Sequence, residues 1–236
     1  MTDTRPAHLR VAADLRAKIM AGTIAPGARL PSTGELMKYY EAANTTIQAA
    51  IRTLKDEGFV RSHPGKGVFA RRDGMITVDV AAYYDPATRG VTYTLLDVAE
   101  VQAPADVADA LGEERAVLRH RRTDRDGKPV ELSWSYYPLS IVAGTPLTRR
   151  AKIRGGAPRV LADLGYPQRL FIDRVSARPP TTEEAEQLGI PQGVPVIRQL
   201  RVIYSDNKKP VEVSVIVKPG HLYELRYRQA IPADYQ

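Results

Sequence analysis

The chain has 236 residues, 43% hydrophobic and 26% charged, which suits one large or two small folded domains and excludes a disordered or membrane-embedded class. It contains no cysteine, and its four histidines (His8, His63, His120, His221) are scattered. Disulfides, thiolate metal centres and cysteine nucleophiles are therefore excluded, and neither a metal nor a cofactor is expected. No apolar run approaches the roughly 20 residues of a bilayer span, and MTDTRPAHLR lacks a signal-peptide core, so a cytoplasmic protein without a membrane partner is expected.

The net charge of +7 is unevenly placed: up to Met75 there are twelve Lys and Arg against seven Asp and Glu. Cations concentrated there suit a polyanion, because neutralising phosphates releases condensed counterions; a merely solvated basic surface is the plain alternative. Leu9 to Ala21 arranges Leu9, Ala12, Ala13, Leu15, Ile19 and Met20 as the apolar side of a first helix, ended by Gly22. Pro26-Gly27 and Pro31 then prevent helix. Ser32 with Glu35 three residues on is a capping box, so a second helix starts at Ser32. A third starts near Asn44 and buries Ile47, Ala50, Ile51 and Leu54, with Gly58 as its stop. Its open face offers Asn44, Thr45 and Gln48, which hydrogen-bond base edges and phosphates well. Helix capping is the alternative role for Thr45 and Thr46. Phe59 to Ser62 and Val68 to Ala70 read as hairpin strands around a Pro64-Gly65-Lys66-Gly67 tip. The glycines let backbone approach a groove wall, and Lys66 can enter a minor groove. Three helices and a hairpin predict a winged helix-turn-helix.

Composition changes after Arg71-Arg72-Asp73-Gly74, which predicts a reader domain over 1–74, a linker over 75–91 and a second domain over 92–236. Val91 to Val101 alternates like a strand. An internal repeat follows: the stretches from Ala108 and from Ala185 each contain a short helix ending at Leu-Gly, a strand with Arg-x-x-Arg (Arg119/Arg122, Arg198/Arg201), a polar turn and a strand opening Pro-Val-Glu. Two such hairpins predict one antiparallel sheet and, with the helices, an α+β fold. In the second strands Val130, Leu132, Trp134 and Tyr136 share one face, while Glu131, Ser133 and Ser135 share the other; Glu212 and Ser214 repeat the polar row. If the helix predicted over Gly156 to Gly165 covers that row, the row lines a pocket; if not, it is a solvated face. The segment 218–227 is expected to close the sheet and bring Tyr223 to the end of the row.

Leu9 to Arg72 resembles the DNA-binding domain of the GntR family of bacterial transcription regulators: Ile19, Gly22, Pro26, Gly27, Leu30, Pro31, Ser32, Glu35, Leu36, Thr45, Thr46, Ala50, Leu54, Glu57, Gly58, Gly65, Gly67 and Phe69 fall at its motif positions. The resemblance implies DNA contacts from Ser32, Thr33, Asn44, Thr45, Thr46, Gln48, Arg52, Gly65 and Lys66. Gly34, Asn44 and Gln48 stand where that family commonly carries arginine. Arginine pairs with guanine, asparagine and glutamine with adenine, so a contacted site richer in A·T is expected.

From about Thr92 the chain resembles the UTRA effector domain of the HutC subfamily, whose fold is shared with chorismate lyase, through Leu118, Arg121, Asp126, Gly127, Pro129, Val130, Glu131, Ser133, Pro138 and the second Pro-Val-Glu. This implies a small, anionic effector gripped by Arg121, with Glu131, Ser133, Glu212, Ser214 and Tyr223 around it. Thr123 stands where sugar-phosphate binders of the group often add an arginine, and Gly220-His221-Leu222-Tyr223 departs from their late motif. Both differences point away from a phosphosugar. The expectation is a ligand-responsive transcription factor, most often a repressor in this group, acting as a homodimer on a palindromic operator because one reader helix contacts too few bases. Two rivals remain: an enzyme using Glu131 and Glu212 as acid and base if they face each other, and a second domain that serves dimerisation alone. No catalytic residue is expected.

Overall fold

The computed structural model of the chain describes residues 3–71, 76–79, 91–190, 193–228 and 230. The expected junction at 72–75 and residues 80–90 of the expected linker lie outside them. The chain forms two compact units, one of residues 1–80, 191–194 and 221–236, the other of 81–190 and 195–220.

The first unit contains α1 (Ala7–Met20), α2 (Thr33–Tyr40), α3 (Asn44–Asp56), β1 (Val60–His63), β2 (Gly67–Ala70) and β3 (Ile76–Asp79). The helical stripes meet in a core of Val11, Leu15, Leu36, Ile47, Leu54 and Val60. The capping box is present: Ser32 Oγ accepts from the Glu35 N–H, and the Glu35 carboxylate accepts from the Ser32 N–H at 2.7 Å. At the start of α3, Ala43 occupies the N-cap position and no side chain caps it. Thr45 and Thr46 therefore do not serve as caps. Arg16 of α1 forks onto Glu57 just past α3, with Nε donating at 2.8 Å; two parallel charge-assisted bonds fix the crossing of these helices.

The hairpin is widened by the segment after α1. Leu30 N–H donates to Val68 O and Ala70 N–H to Ala28 O, both at 2.8 Å. Gly67 has φ +107, and a Cβ there would come within 2.8 Å of Arg29 Nε. Only glycine accepts both that backbone and that close approach.

The second unit follows the predicted repeat. Its elements are β4 (Val91–Gln102), α4 (Ala105–Leu111), β5 (Arg115–Arg125), β6 (Lys128–Pro138), α5 (Leu139–Val142), α6 (Gly156–Asp163), β7 (Leu170–Arg178), α7 (Thr182–Leu188), β8 (Val196–Tyr204) and β9 (Pro210–Pro219). One antiparallel sheet runs β4-β5-β6-β9-β8-β7. The copies meet at its centre, where Ser135 lies opposite Ser214. Each repeat also owns a leading strand, β4 or β7, on the outside. One face packs Val107 and Leu111 of α4 onto Ala116, Tyr136, Leu200 and Val213. The other packs Val142, Leu147, Ala157 and Leu161 onto Val117, Tyr137 and Ile203.

The last strand corrects an expectation. β10 (Tyr223–Arg226) does not join the six-stranded sheet; it pairs in parallel with β3, with Tyr223 opposite Ile76. The reason is topological: β9 is flanked on both sides by β6 and β8, so β9 offers no open edge to the strand that follows. The chain leaves β9 at Gly220, whose N–H donates to Pro195 O at 2.8 Å. Tyr223 therefore belongs to the first unit and not to the polar row. The same pairing places a strand inside the expected linker.

Just before β10, His221 lies against the end of α3. A Cβ on Gly58 would come within 3.0 Å of its Cδ2 and 3.3 Å of Arg71 Nη1. Burial, and then the Arg71 charge, hold its pKa down to about 4. A folded-state value below the unfolded one near 6.5 means that the unfolded chain binds the extra proton. Stability from this group is complete above about pH 6.5 and falls as pH drops toward 4. With allowance for the part of the ring open to water, the loss is about 2 kcal/mol. Urea unfolding of the wild type and of His221→Gln between pH 7 and pH 4 checks this: the variant should show the shallower decline.

Candidate functional site

The first unit gathers an exposed polar surface at the N-terminal ends of α2 and α3. Ser32, Asn44, Thr45, Gln48 and Arg52 are exposed, and Thr33 and Thr46 are half-buried. Gln48 Nε2 donates to Thr33 Oγ1 at 3.2 Å. That bond ties the two helices and takes one amide hydrogen of Gln48, leaving its second hydrogen and its carbonyl oxygen, the pair that adenine N7 and N6 require. The Ser32 hydroxyl donates to Glu35 Oε2 at 2.7 Å, so its side chain serves the helix start. Gly65 and Lys66 are exposed at the hairpin tip. Arg29 and Arg61, which sequence reading passed over, are exposed on the same hairpin and its added strand. Their signal is the basic excess of the first third, which does not by itself say which cations share a surface.

In the second unit most of the Glu/Ser row is buried: Ser133, Ser135, Glu212 and Ser214 are, and Glu131 is half-buried. α6 and the turn at Pro146–Thr148 pack at one end of that face. The row is one part of a buried polar belt across five strands. Arg121 Nη2 donates to Ser135 Oγ at 2.7 Å. Ser135 and Ser214 share a 2.7 Å hydrogen bond, and Ser214 donates to Glu212 Oε1 at 2.8 Å. Glu212 also accepts from Gln168 at 3.0 Å. Lys218 pairs with Glu131 at 2.8 Å. Arg201 forks onto Asp173 at 2.7 and 2.6 Å, both side chains 6% exposed. Ser133 and Gln199 are buried in the same belt.

Arg119 has a separate task. Its guanidinium donates to the carbonyls of Leu147, Arg149 and Ala151, each at 2.8 Å. This clasps the segment between α5 and α6 onto the sheet. Burial is the main cause of its lowered pKa. The Arg-x-x-Arg pairs thus split: residues three apart on a strand face opposite sides, so Arg119 and Arg201 enter the belt while Arg198 reaches Asp106 of α4 at 2.6 Å.

Of the expected effector residues, Arg121, Glu131, Ser133, Glu212 and Ser214 share this face, and Tyr223 does not. Lys218 was legible, since it alternates with Glu212 and Ser214. Asp173 was not, because it lies on a strand outside the recognised repeat. Glu131 and Glu212 do not face each other: Glu212 lies six residues along β9 from Lys218, the partner of Glu131, about 20 Å of strand. They cannot act together as acid and base on one bond. Among the described residues no group of His, Asp and Glu is placed to hold a metal ion, and no helix is long and apolar enough to cross a membrane.

A winged helix-turn-helix followed by a sheet domain with a buried polar belt defines a transcriptional regulator with a DNA-reading part and an effector-binding part. Comparison with known proteins gives the family. The chain matches the UTRA domain family over residues 87–224 and the gntR family of bacterial regulatory proteins over residues 7–70. It belongs to the GntR-type regulators that carry a UTRA domain, the HutC subfamily. Among its relatives, an HTH-type transcriptional regulator of Streptomyces coelicolor is 29% identical over 91% of this chain and 89% of its own length. The HTH-type transcriptional repressor NagR of Bacillus subtilis is 24% identical over 92% of each chain. A solved GntR-family transcriptional regulator superimposes with a TM-score of 0.65 at 26% identity, covering 97% of this chain and 99% of its own. PhnF from Mycobacterium smegmatis shares the fold, with a TM-score of 0.58 at 19% identity over 94% of this chain. These relatives are regulators rather than enzymes.

Proposed function

We propose that the chain is a cytoplasmic, homodimeric repressor whose affinity for a palindromic operator is set by a small anionic effector bound at the polar belt. The observation that carries the DNA half is the Gln48–Thr33 contact, which holds an adenine-matching amide at the junction of two exposed helix starts. Asn44 is its partner in base reading, Thr45, Thr46 and Arg52 flank them, and Lys66 with Gly65 reaches the neighbouring groove. Asn44 and Gln48 read A·T where arginines would read guanine, Gly34 offers no side chain at the third such position, and fewer cations give a shallower salt dependence. Arg121 anchors the effector among Glu131, Ser133, Glu212 and Ser214.

Pairing of two chains is supported by β7. It is a nine-residue edge strand with Leu170, Ile172 and Val175 exposed. An apolar open edge invites another strand, and antiparallel addition of the same strand from a second copy closes the assembly by two-fold symmetry. The effector shifts DNA affinity only through its differential binding to two states of the dimer. Selection of sites from random DNA with the purified chain tests this reading. It should return a two-fold site with A·T at the contacted positions of each half. A guanine-centred half-site overturns the base assignment, and a site without two-fold symmetry overturns the dimer.

A further inference from the structure

We propose that the segment between α5 and α6 is a second nucleic-acid contact, a strip of cations that grips the phosphates of duplex DNA without reading sequence. From Leu132 to Ala162 the chain holds no Asp or Glu but carries Arg149, Arg150, Lys152, Arg154 and Arg159. All five side chains belong to exposed residues. Arg159 is answered by Asp163 one helical turn on at 2.9 Å. Arg150 pairs with Asp97 at 3.6 Å, with both side chains more than half exposed. Lys152 lies over the Tyr93 ring, 5.1 Å from its centroid, a contact that holds the side chain and leaves its charge in place. Among the described residues no carboxylate pairs with Arg149, Lys152 or Arg154. Outside them the sequence adds Asp73, Asp85 and Asp234 together with Arg72 and Arg89, too little net acid to cancel three open cations.

The main chain beneath the strip is fixed. Arg119 holds the carbonyls of Leu147, Arg149 and Ala151, and the buried Leu147 and Ala157 anchor the segment on either side. Side chains that project from a fixed main chain give up less freedom on binding. Arg150, Lys152 and Arg159 lean on three different neighbours instead of converging on one point, which suits an extended polyanion better than a small anion. From Arg149 to Arg154 the main chain spans at most about 17 Å, and a duplex presents about ten phosphate charges along that length. Arginine forks meet phosphate oxygens with two parallel bonds. The reader helices on the same chain favour DNA as the polyanion. Once they are bound, the strip meets phosphates at a high effective concentration, so a contact too weak to act alone adds to affinity.

Fluorescence anisotropy of the full chain on a mixed-sequence duplex of about 40 base pairs, four helical turns, tests this over a series of salt concentrations. In the variant Arg149→Gln/Lys152→Gln/Arg154→Gln the slope of log K against log salt should become shallower by about two to three for each chain bound, and affinity should fall at least about tenfold. The control Arg125→Gln/Lys128→Gln/Lys208→Gln removes the same charge from exposed turns of the same unit and should shift the slope by less than about one. Arg149→Lys/Arg154→Lys keeps the charge and should keep the wild-type slope, which separates lost charge from any lost fold. An unchanged slope in the strip variant, or an equal change in the control, overturns the proposal. So does a wild type that leaves the duplex unbound. A strip variant that keeps DNA binding and loses binding to vesicles of phosphatidylserine and phosphatidylcholine also overturns it, and makes an anionic membrane surface the partner.

Discussion

A chain carrying Gln48→Ala together with Lys66→Ala should lose specific operator binding by at least a hundredfold in gel-shift titration, with its melting temperature unchanged. A bidentate amide–adenine pair discriminates by about 1–3 kcal/mol, and a two-fold site loses it twice. Removing Lys66 subtracts a charged contact from each half, so affinity falls across all sequences and the salt slope drops by about one per protomer. The single variants separate the two roles. Gln48→Ala should flatten discrimination between operator and scrambled DNA, whereas Lys66→Ala should weaken both alike. Both side chains are exposed and lie outside the core of Ile47, Leu54 and Val60, and the melting temperature checks that loss of the single exposed Gln48–Thr33 bond leaves the fold intact. Affinity unaltered in the double variant would show that another surface reads the operator.

Replacing Arg119 with Met should lower the stability of the full chain by about 3 kcal/mol in urea unfolding, the largest effect expected of any single polar residue in the belt. The methionine fills comparable space, but the carbonyls of Leu147, Arg149 and Ala151 lose their shared donor in a site from which water is largely excluded. Each lost partner of a buried group costs about 1–3 kcal/mol, reduced where water reaches the exposed side of the segment. Arg119→Lys should recover only part, because an ammonium cannot copy the planar fork that spans three acceptors. A variant as stable as the wild type would show that the clasp contributes nothing and that packing of Leu147 and Leu161 holds the segment alone.

Much of this architecture was legible because it is written in local chemistry. Ser32 and Glu35 are three residues apart and cap α2 wherever it packs. The stripe Ile47, Ala50, Ile51 and Leu54 has one period and one solution, a helix buried on that side. The strand repeat was legible for the same reason: alternation assigns each side chain to a face before any strand has a neighbour. It correctly separated Glu131 and Ser133 from Trp134 and Tyr136. Side-chain partnership was not legible. Nothing local says that Arg119 turns to three carbonyls thirty residues on while Arg121, two residues away on the same face, turns to Ser135. Nor could β7 be recognised, since an edge strand with Leu170, Ile172 and Val175 exposed lacks the clean inside-outside alternation of a half-buried one.

By itself, then, the order of residues determined the winged helix-turn-helix, the duplicated strand pairs, the polarity of each sheet face and the exposed amides on the first turns of α3, because these depend on spacing within about a dozen residues. Only the tertiary structure decided where the ends meet. Joining the two repeats at β6 and β9 closes the centre of the sheet, so the following strand has no open edge there. It pairs with β3 instead, and Tyr223 goes with it. The same closure places Asp173 on Arg201 and Lys218 on Glu131. These ion pairs are thus a property of long-range register, which spacing along the chain does not carry.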